Sequence, residues 1–317
     1  MSLTRSLTQA DIDRLAAVPV PEGRLLIDGA FCDGGAEPLT VLSPINGQHL
    51  TTIAAGSEAD VARATAAARR AFDDGRWSRQ SSAARKAVLL RLADLIERHA
   101  FELAVLGVRD NGTEIGMALK AEPLSAAQTF RWYGEALDKL YGEIAPTAET
   151  VLALIHREPV GVVAAIVPWN FPLMIGAWKL APALASGNSV VLKPAETASL
   201  TLLRLGELAL EAGLPAGGAE CGHRVGFGRR GGPGAVDGCR CAGVHRVRGH
   251  RAAADGIFGG LEPETALSGT WRQEPQRRLC RCARPCRRRQ DRRRRHPPQC
   301  RPGLWGRLAV AGRGVGA

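Results

Sequence analysis

The sequence predicts an α/β fold in which helices cover a parallel sheet on both faces, and it predicts that fold for residues 1–217 of the 317. Two apolar runs, residues 162–167 and 189–193, are each followed by a helical pattern, over 171–185 and 200–212. Strands that are apolar at every position, not every second one, belong to sheets buried on both faces, and alternation of strand with helix makes neighbouring strands parallel. The third observation sets the boundary. Residues 218–317 hold 22 Arg and no Lys, seven of the eight cysteines, four consecutive arginines at 292–295 and almost no hydrophobic periodicity. That segment predicts an irregular or disordered tail with no domain of its own.

The remaining elements follow in chain order. Residues 27–31 and 39–44 are short runs bounded by turn residues and predict strands of a small hairpin layer. Ser57-Glu58-Ala59-Asp60 predicts a capped helix start, with carboxylates in the first turn where the helix dipole favours them, and the helix runs to about Phe72. Residues 82–99, continuing through Asp110, and residues 124–141 repeat apolar side chains at spacings of three and four and predict amphipathic helices. Residues 151–156 predict one more strand before the strand–helix–strand–helix unit.

The formal net charge of +11 suggests a nucleic-acid or membrane partner, but the charge is unevenly placed. Residues 1–217 carry 20 basic and 24 acidic side chains, and residues 218–317 carry 22 and 7. A mildly acidic body of that size supports one sizeable core or two small ones. Its single cysteine, Cys32, excludes a disulfide framework there and suits a reducing compartment. Residues 1–5 lead into polar sequence instead of an apolar signal core, and the longest apolar stretch, 160–167, is too short to span a bilayer. The expectation is a cytoplasmic protein with no membrane partner.

Ligands of parallel sheets bind at the carboxyl ends of the strands, and two motifs fall there. Asn170 lies in Pro168-Trp169-Asn170-Phe171-Pro172, where two prolines hold its amide in one orientation. Such an amide can donate to an oxygen that gains negative charge, worth ~10²–10³ in rate; an Asn between prolines also reads as a turn residue satisfying its own backbone. Lys193 and Glu196 leave the next strand together, and a cation beside a carboxylate suits a ribose diol, or equally a solvated surface pair.

The segments Glu158-Pro159-Val160-Gly161 through Pro172, Trp178-Lys179-Leu180-Ala181-Pro182 through Asn188, Lys193-Pro194-Ala195-Glu196 and Glu211-Ala212-Gly213-Leu214-Pro215-Ala216-Gly217 together resemble the NAD(P)-dependent aldehyde dehydrogenase superfamily. The resemblance covers roughly residues 20–217. Arg131-Trp132-Tyr133-Gly134-Glu135-Ala136-Leu137-Asp138-Lys139 and the residues to Glu143 are most similar to its γ-glutamyl-γ-aminobutyraldehyde dehydrogenases. The resemblance implies an incomplete Rossmann-type sheet with oligomerisation strands, a small aldehyde as substrate, and NAD as cofactor. It implies that Asn170 supplies the oxyanion amide, that Ile166, Val167, Pro168 and Trp169 line the cofactor groove, and that Lys193-Pro194-Ala195-Glu196 meets the adenosine ribose. A carboxylate at Glu196 would repel a 2′-phosphate, so NAD is expected over NADP. Homo-oligomers are the rule in the intact family and doubtful for this chain.

The family's phosphate loop, its general-base Glu in E-L-G-G-K and its nucleophilic Cys in G-Q-x-C are absent after Gly217. Cys280, Cys282, Cys286 and Cys300 with His296 lack paired C-x₂-C spacing, so no metal site is expected. Reading the codons from Gly218 onward one nucleotide out of register restores the missing motifs in family order. Residues 218–225 permit V-L-N-V-V-T-G, residues 243–250 permit A-F-T-G-S, residues 269–275 permit E-L-G-G-K-S-P and residues 301–305 permit G-Q-V-C. An extra nucleotide at the Gly217/Gly218 codons is therefore expected, with the chain as written an inactive fragment. Its open sheet edge and uncovered apolar helix faces predict poor folding. No specific nucleic-acid partner is expected of the off-frame tail; the alternatives are a fusion whose arginine-rich tail binds nucleic acid and a non-enzymatic partner-binding surface.

Overall fold

The computed structural model describes residues 8–224 and 239–244. The chain opens with helix α1 (Gln9–Ala16), closed by a Thr8/Asp11 capping box that the sequence reading did not anticipate. Strands β1 (Leu25–Ile27) and β2 (Ala30–Cys32) form a hairpin where one strand over 27–31 was expected. Asp28 and Gly29 make its turn at φ +52° and +74°. Two successive positive φ values match the right-handed twist of the flanking strands, which is why Asp-Gly favours this turn.

Strands β3 (Ala36–Leu42) and β4 (His49–Gly56) pair antiparallel. Helix α2 (Glu58–Asp73) starts at the expected Ser57, whose side chain and that of Asp60 cap each other's backbone amides. The long helix expected to run through Asp110 is two, α3 (Ser82–Arg98) and α4 (Ala100–Asn111), meeting at His99. Next come α5 (Ile115–Leu119), a π-turn over Lys120–Leu124 and α6 (Ser125–Ala136). Pro123 sits inside that π-turn; a proline removes a helical N–H and crowds the preceding turn, so the helix widens around it instead of ending. A two-stranded ribbon, β5 (Glu143–Ala145) with β6 (Ala153–Ile155), stands apart from the main sheet.

The functional core is the unit β7 (Val162–Ile166), α7 (Pro172–Ala185), β8 (Ser189–Lys193), α8 (Leu200–Glu211) and β9 (Ala219–Cys221). Strands β10 (His223–Arg224) and β11 (Cys239–Val244) complete the described chain. The main sheet has the order β11-β7-β8-β9-β1-β2, with the first four strands parallel. Alternate residues of β7 serve opposite faces, as the unbroken apolar run predicts. Val163 and Ala165 join the large core beneath α3, α6, α7 and α8, and Val162 and Ala164 meet Ala68 of α2 on the other face. Trp77, fully buried, ties this core together by donating its ring N–H to the Leu184 carbonyl at 3.0 Å.

The change of sequence character at Gly217 and the end of the sheet do not coincide. Residues from 218 were expected to be irregular, yet β9 lies between β8 and β1, β10 pairs with β4, and β11 covers the edge of β7 that was expected to be open. Strand pairing is made by backbone groups, so a slot between two strand edges accepts a segment whose side chains were not chosen for it. The consequence is visible at Glu220, which is fully buried in β9. Its Oε2 accepts from the Asp28 N–H at 2.7 Å, and its Oε1 has no partner among the described residues. Gly217 itself has φ +77°, and a Cβ there would lie 2.5 Å from the Ala71 methyl, so glycine is required at the entry to β9. The tail cysteines 280, 282, 286 and 300 and the recovered motifs beyond residue 244 lie outside the described residues. No helix among the described residues is long and apolar enough to cross a membrane.

Candidate active site

The parallel register of β7 and β8 puts Ile166 opposite Lys193, and the Val167 N–H donates to the Lys193 carbonyl at 3.0 Å. The segments Val167–Asn170 and Pro194–Glu196 therefore leave the sheet side by side at its carboxyl edge. Val167 and Pro194 are buried, whereas Trp169, Asn170 and Glu196 are exposed. After β8 the chain turns tightly, with a bridge between Ala195 and Ala198. Lys193 Nζ donates to Glu196 Oε1 at 2.7 Å and to the Pro194 carbonyl at 3.1 Å. Trp169 and Glu196 also line one cleft of about 420 Å³ with Val41, Pro44, Asp110 and Asn111; Asn170 and Lys193 are not part of its wall.

Asn170 directly precedes Phe171, which adopts a left-handed conformation at φ +55° and ψ +54° and is the N-cap of α7. For a bulky aromatic residue that conformation is strained by ~1–2 kcal/mol. It directs the chain sharply from the strand into the helix, whose first residue is Pro172. Neither α7 nor α8 receives a hydrogen bond from its own N-cap side chain. The orphan N–H groups of these helices are met from elsewhere. Glu122, in the π-turn, accepts from the Met174 N–H at 3.0 Å through Oε2, and its Oε1, close to the Leu173 N–H and the Asn111 amide, has no hydrogen-bond partner among the described residues. Asp110, at the end of α4, accepts from the Leu200 N–H at 2.8 Å through Oδ2, and its Oδ1 has no hydrogen-bond partner among the described residues.

Both carboxyls are buried, with 1 % and 3 % of their surface exposed. Burial pushes Glu122 up to about 7 and Asp110 up to about 6, against the lowering effect of the amides they accept from. Sequence reasoning missed both. The available signal was negative: Phe171-Pro172 offers no side-chain acceptor, so α7 demands one from another part of the chain.

The donors present fit a nucleotide ribose. Glu196 offers acceptors and Lys193 offers donors within one ion pair at the strand ends, and the carboxylate end of that pair is exposed. Asn170 supplies an exposed amide at the neighbouring strand end. The arrangement can bind a diol at one strand end and stabilise an oxyanion at the other.

A family model described as the aldehyde dehydrogenase family matches residues 31–222. The chain is 52 % identical over 197 residues to the NADP/NAD-dependent aldehyde dehydrogenase PuuC of Escherichia coli, covering 62 % of this chain and 40 % of that protein. It is 44 % identical over 233 residues to the aminoacetaldehyde dehydrogenase of Pseudomonas aeruginosa, covering 71 % and 47 %. Among solved structures, the γ-glutamyl-γ-aminobutyraldehyde dehydrogenase of Burkholderia cenocepacia superposes with a TM-score of 0.67 at 49 % identity, over 69 % of this chain and 44 % of that one. The chain thus spans less than half the length of these relatives. With that match over more than half of its residues, the chain belongs to the aldehyde dehydrogenase family.

Proposed function

We propose that this chain is the nucleotide-side portion of an NAD-dependent dehydrogenase that oxidises an amino- or γ-glutamyl-aminoaldehyde to a carboxylic acid. The observation that carries the reading is the position of Asn170, exposed on the strained turn between β7 and α7, at the same sheet edge as the Lys193–Glu196 pair. NAD, when bound, accepts the hydride that leaves the aldehyde carbon. Lys193 and Glu196 hold its adenosine ribose, and Ile166, Val167, Pro168 and Trp169 wall the groove. The Asn170 amide donates to the carbonyl oxygen as negative charge develops on it. Glu196 accepts from ribose hydroxyls and repels a 2′-phosphate, so NAD is preferred over NADP. The amino- and γ-glutamyl-aminoaldehyde class follows from the relatives named for such substrates.

The chain as written lacks a nucleophilic Cys and a general-base Glu in family context, and we assign this to one extra nucleotide at the Gly217/Gly218 codons. Two observations support that assignment. Glu220 is a carboxylate at a sheet position with no exposed surface, in a strand whose three residues show no apolar pattern. Strand β11 ends at Val244, where the shifted reading yields the A-F-T-G-S motif. In the frame-restored protein, exposed apolar residues of the β5–β6 ribbon, Ile144, Leu154 and Ile155, are the contact for a homo-oligomer. We place the protein in the cytoplasm, with the small aldehyde as its partner and no specific nucleic acid. Resequencing the DNA around codon 217 tests the frame: one surplus nucleotide is expected, and stop codons between the recovered motifs in the shifted register would overturn the assignment.

A further inference from the structure

We propose that Glu122 is the positioning residue of Asn170, holding the turn that carries the oxyanion amide by capping α7 from outside its own segment. Three features lead there. The first turn of α7 has no side-chain cap of its own, and Pro172 at its start removes one N–H and leaves those of Leu173 and Met174 to be met. Glu122 meets the Met174 N–H at 3.0 Å and lies beside that of Leu173, from a π-turn that holds Pro123 and whose only carboxylate this is. Phe171 sits between those amides and Asn170 in a left-handed conformation, which persists only where its surroundings over-determine it.

The chain of causes is short. A buried carboxylate bonded to the Met174 amide fixes the first turn of α7, and the Ile175 N–H bond to the Phe171 carbonyl at 3.0 Å fixes Phe171 to that turn. Asn170 is one peptide bond further on. Without the cap, Phe171 relaxes toward an ordinary right-handed or extended conformation and swings the Asn170 amide away from the sheet edge. Glu122 is 1 % exposed and 52 residues from Met174 in sequence, so the Met174 amide offsets part of the cost of burying its carboxyl. The structural part of this inference stands on these contacts; its catalytic consequence rests on the oxyanion role proposed for Asn170.

The test measures amide hydrogen exchange in the full 317-residue chain and in its Glu122→Ala and Glu122→Gln variants. Loss of a cap is expected to speed exchange at Met174 by about tenfold in Glu122→Ala. Gln keeps an acceptor oxygen and is expected to restore protection, and the Leu200 amide, capped by Asp110, should hold its rate in every variant. Unchanged exchange in Glu122→Ala, or exchange in Glu122→Gln equal to that in Ala, would overturn the inference. Should the Ala variant not fold, Glu122→Asp decides: its shorter arm is expected to leave the Met174 amide unprotected, and full protection there would count against the proposal.

In the frame-restored enzyme, Glu122→Ala is expected to lower kcat by ~10–10²-fold with KM for aldehyde unchanged. In an Asn170→Ala background it should add nothing. Full additivity of the two losses would overturn a role through Asn170. A restored enzyme with no aldehyde turnover at all would refute the proposed function instead, and the exchange measurement would still decide the contact.

Discussion

Asn170 was legible in the sequence because two prolines and a preceding apolar run mark a rigid turn at a strand end, and Lys193 with Glu196 because they leave the next strand together. The sequence did not announce that the latter two bond to each other at 2.7 Å, so under the proposed function a ribose would insert into an existing ion pair. Glu122 and Asp110 stayed hidden because each serves an amide 52 or 90 residues away, and no local pattern records such a partner. In the frame-restored protein, Asn170→Ala should lower kcat by ~10²–10³ and leave NAD affinity unchanged, measured by steady-state kinetics and by titration of the cofactor. Glu196→Ala should raise NADP-dependent kcat/KM relative to NAD. An unchanged ratio would remove Glu196 from the ribose site.

At the scale of elements, the helices with capping signals or strong periodicity were readable, and so were the two buried strands. The misreadings have physical reasons. The Asp28-Gly29 turn splits one apparent strand into a hairpin, and the helix expected over 124–141 is the stretch Ser125–Ala136, entered through a π-turn that holds Pro123. Strand β9 could not be read because its side chains carry no pattern, and pairing by its neighbours places it. Asp110→Ala should destabilise the fold by about 1–3 kcal/mol, since it strips the cap from α8, and Asp110→Asn should recover most of that in urea melts. Glu220→Gln should stabilise the chain increasingly as pH rises. Burial pushes Glu220 up to about 7, so its carboxyl is neutral in the folded state where the unfolded one is already ionised. The advantage of Gln should be absent near pH 4, grow to about pH 7 and then level off, by ~1–3 kcal/mol.

At the scale of the whole molecule, Asp110, Glu122 and Glu220 are all held above their ordinary range by burial. Carboxyls raised on folding contribute stability below their unfolded pKa and lose it as pH rises through the folded one. Asp60 acts oppositely: despite burial, the Gly35 amide, Arg63 and Ser57 hold it well below the usual range, so its contribution fades only in strong acid. Thermal unfolding temperature should therefore be highest near pH 4–5 and fall toward pH 7.5, at ~1.4 kcal/mol per pH unit for each proton difference. A stability that rises over that interval would mean that these three groups are solvated. The sheet edge carrying Asn170, Lys193 and Glu196 is formed in the chain as written, whereas the proposed nucleophile and base would come from motifs of the shifted register. The direct measurement is NADH formation from a γ-glutamyl-aminoaldehyde by the 317-residue chain, beside the product of the same gene with one nucleotide removed near the Gly217/Gly218 codons. The expected result is no turnover by the first and steady turnover by the second; turnover by the chain as written, or none by the restored protein, would contradict it.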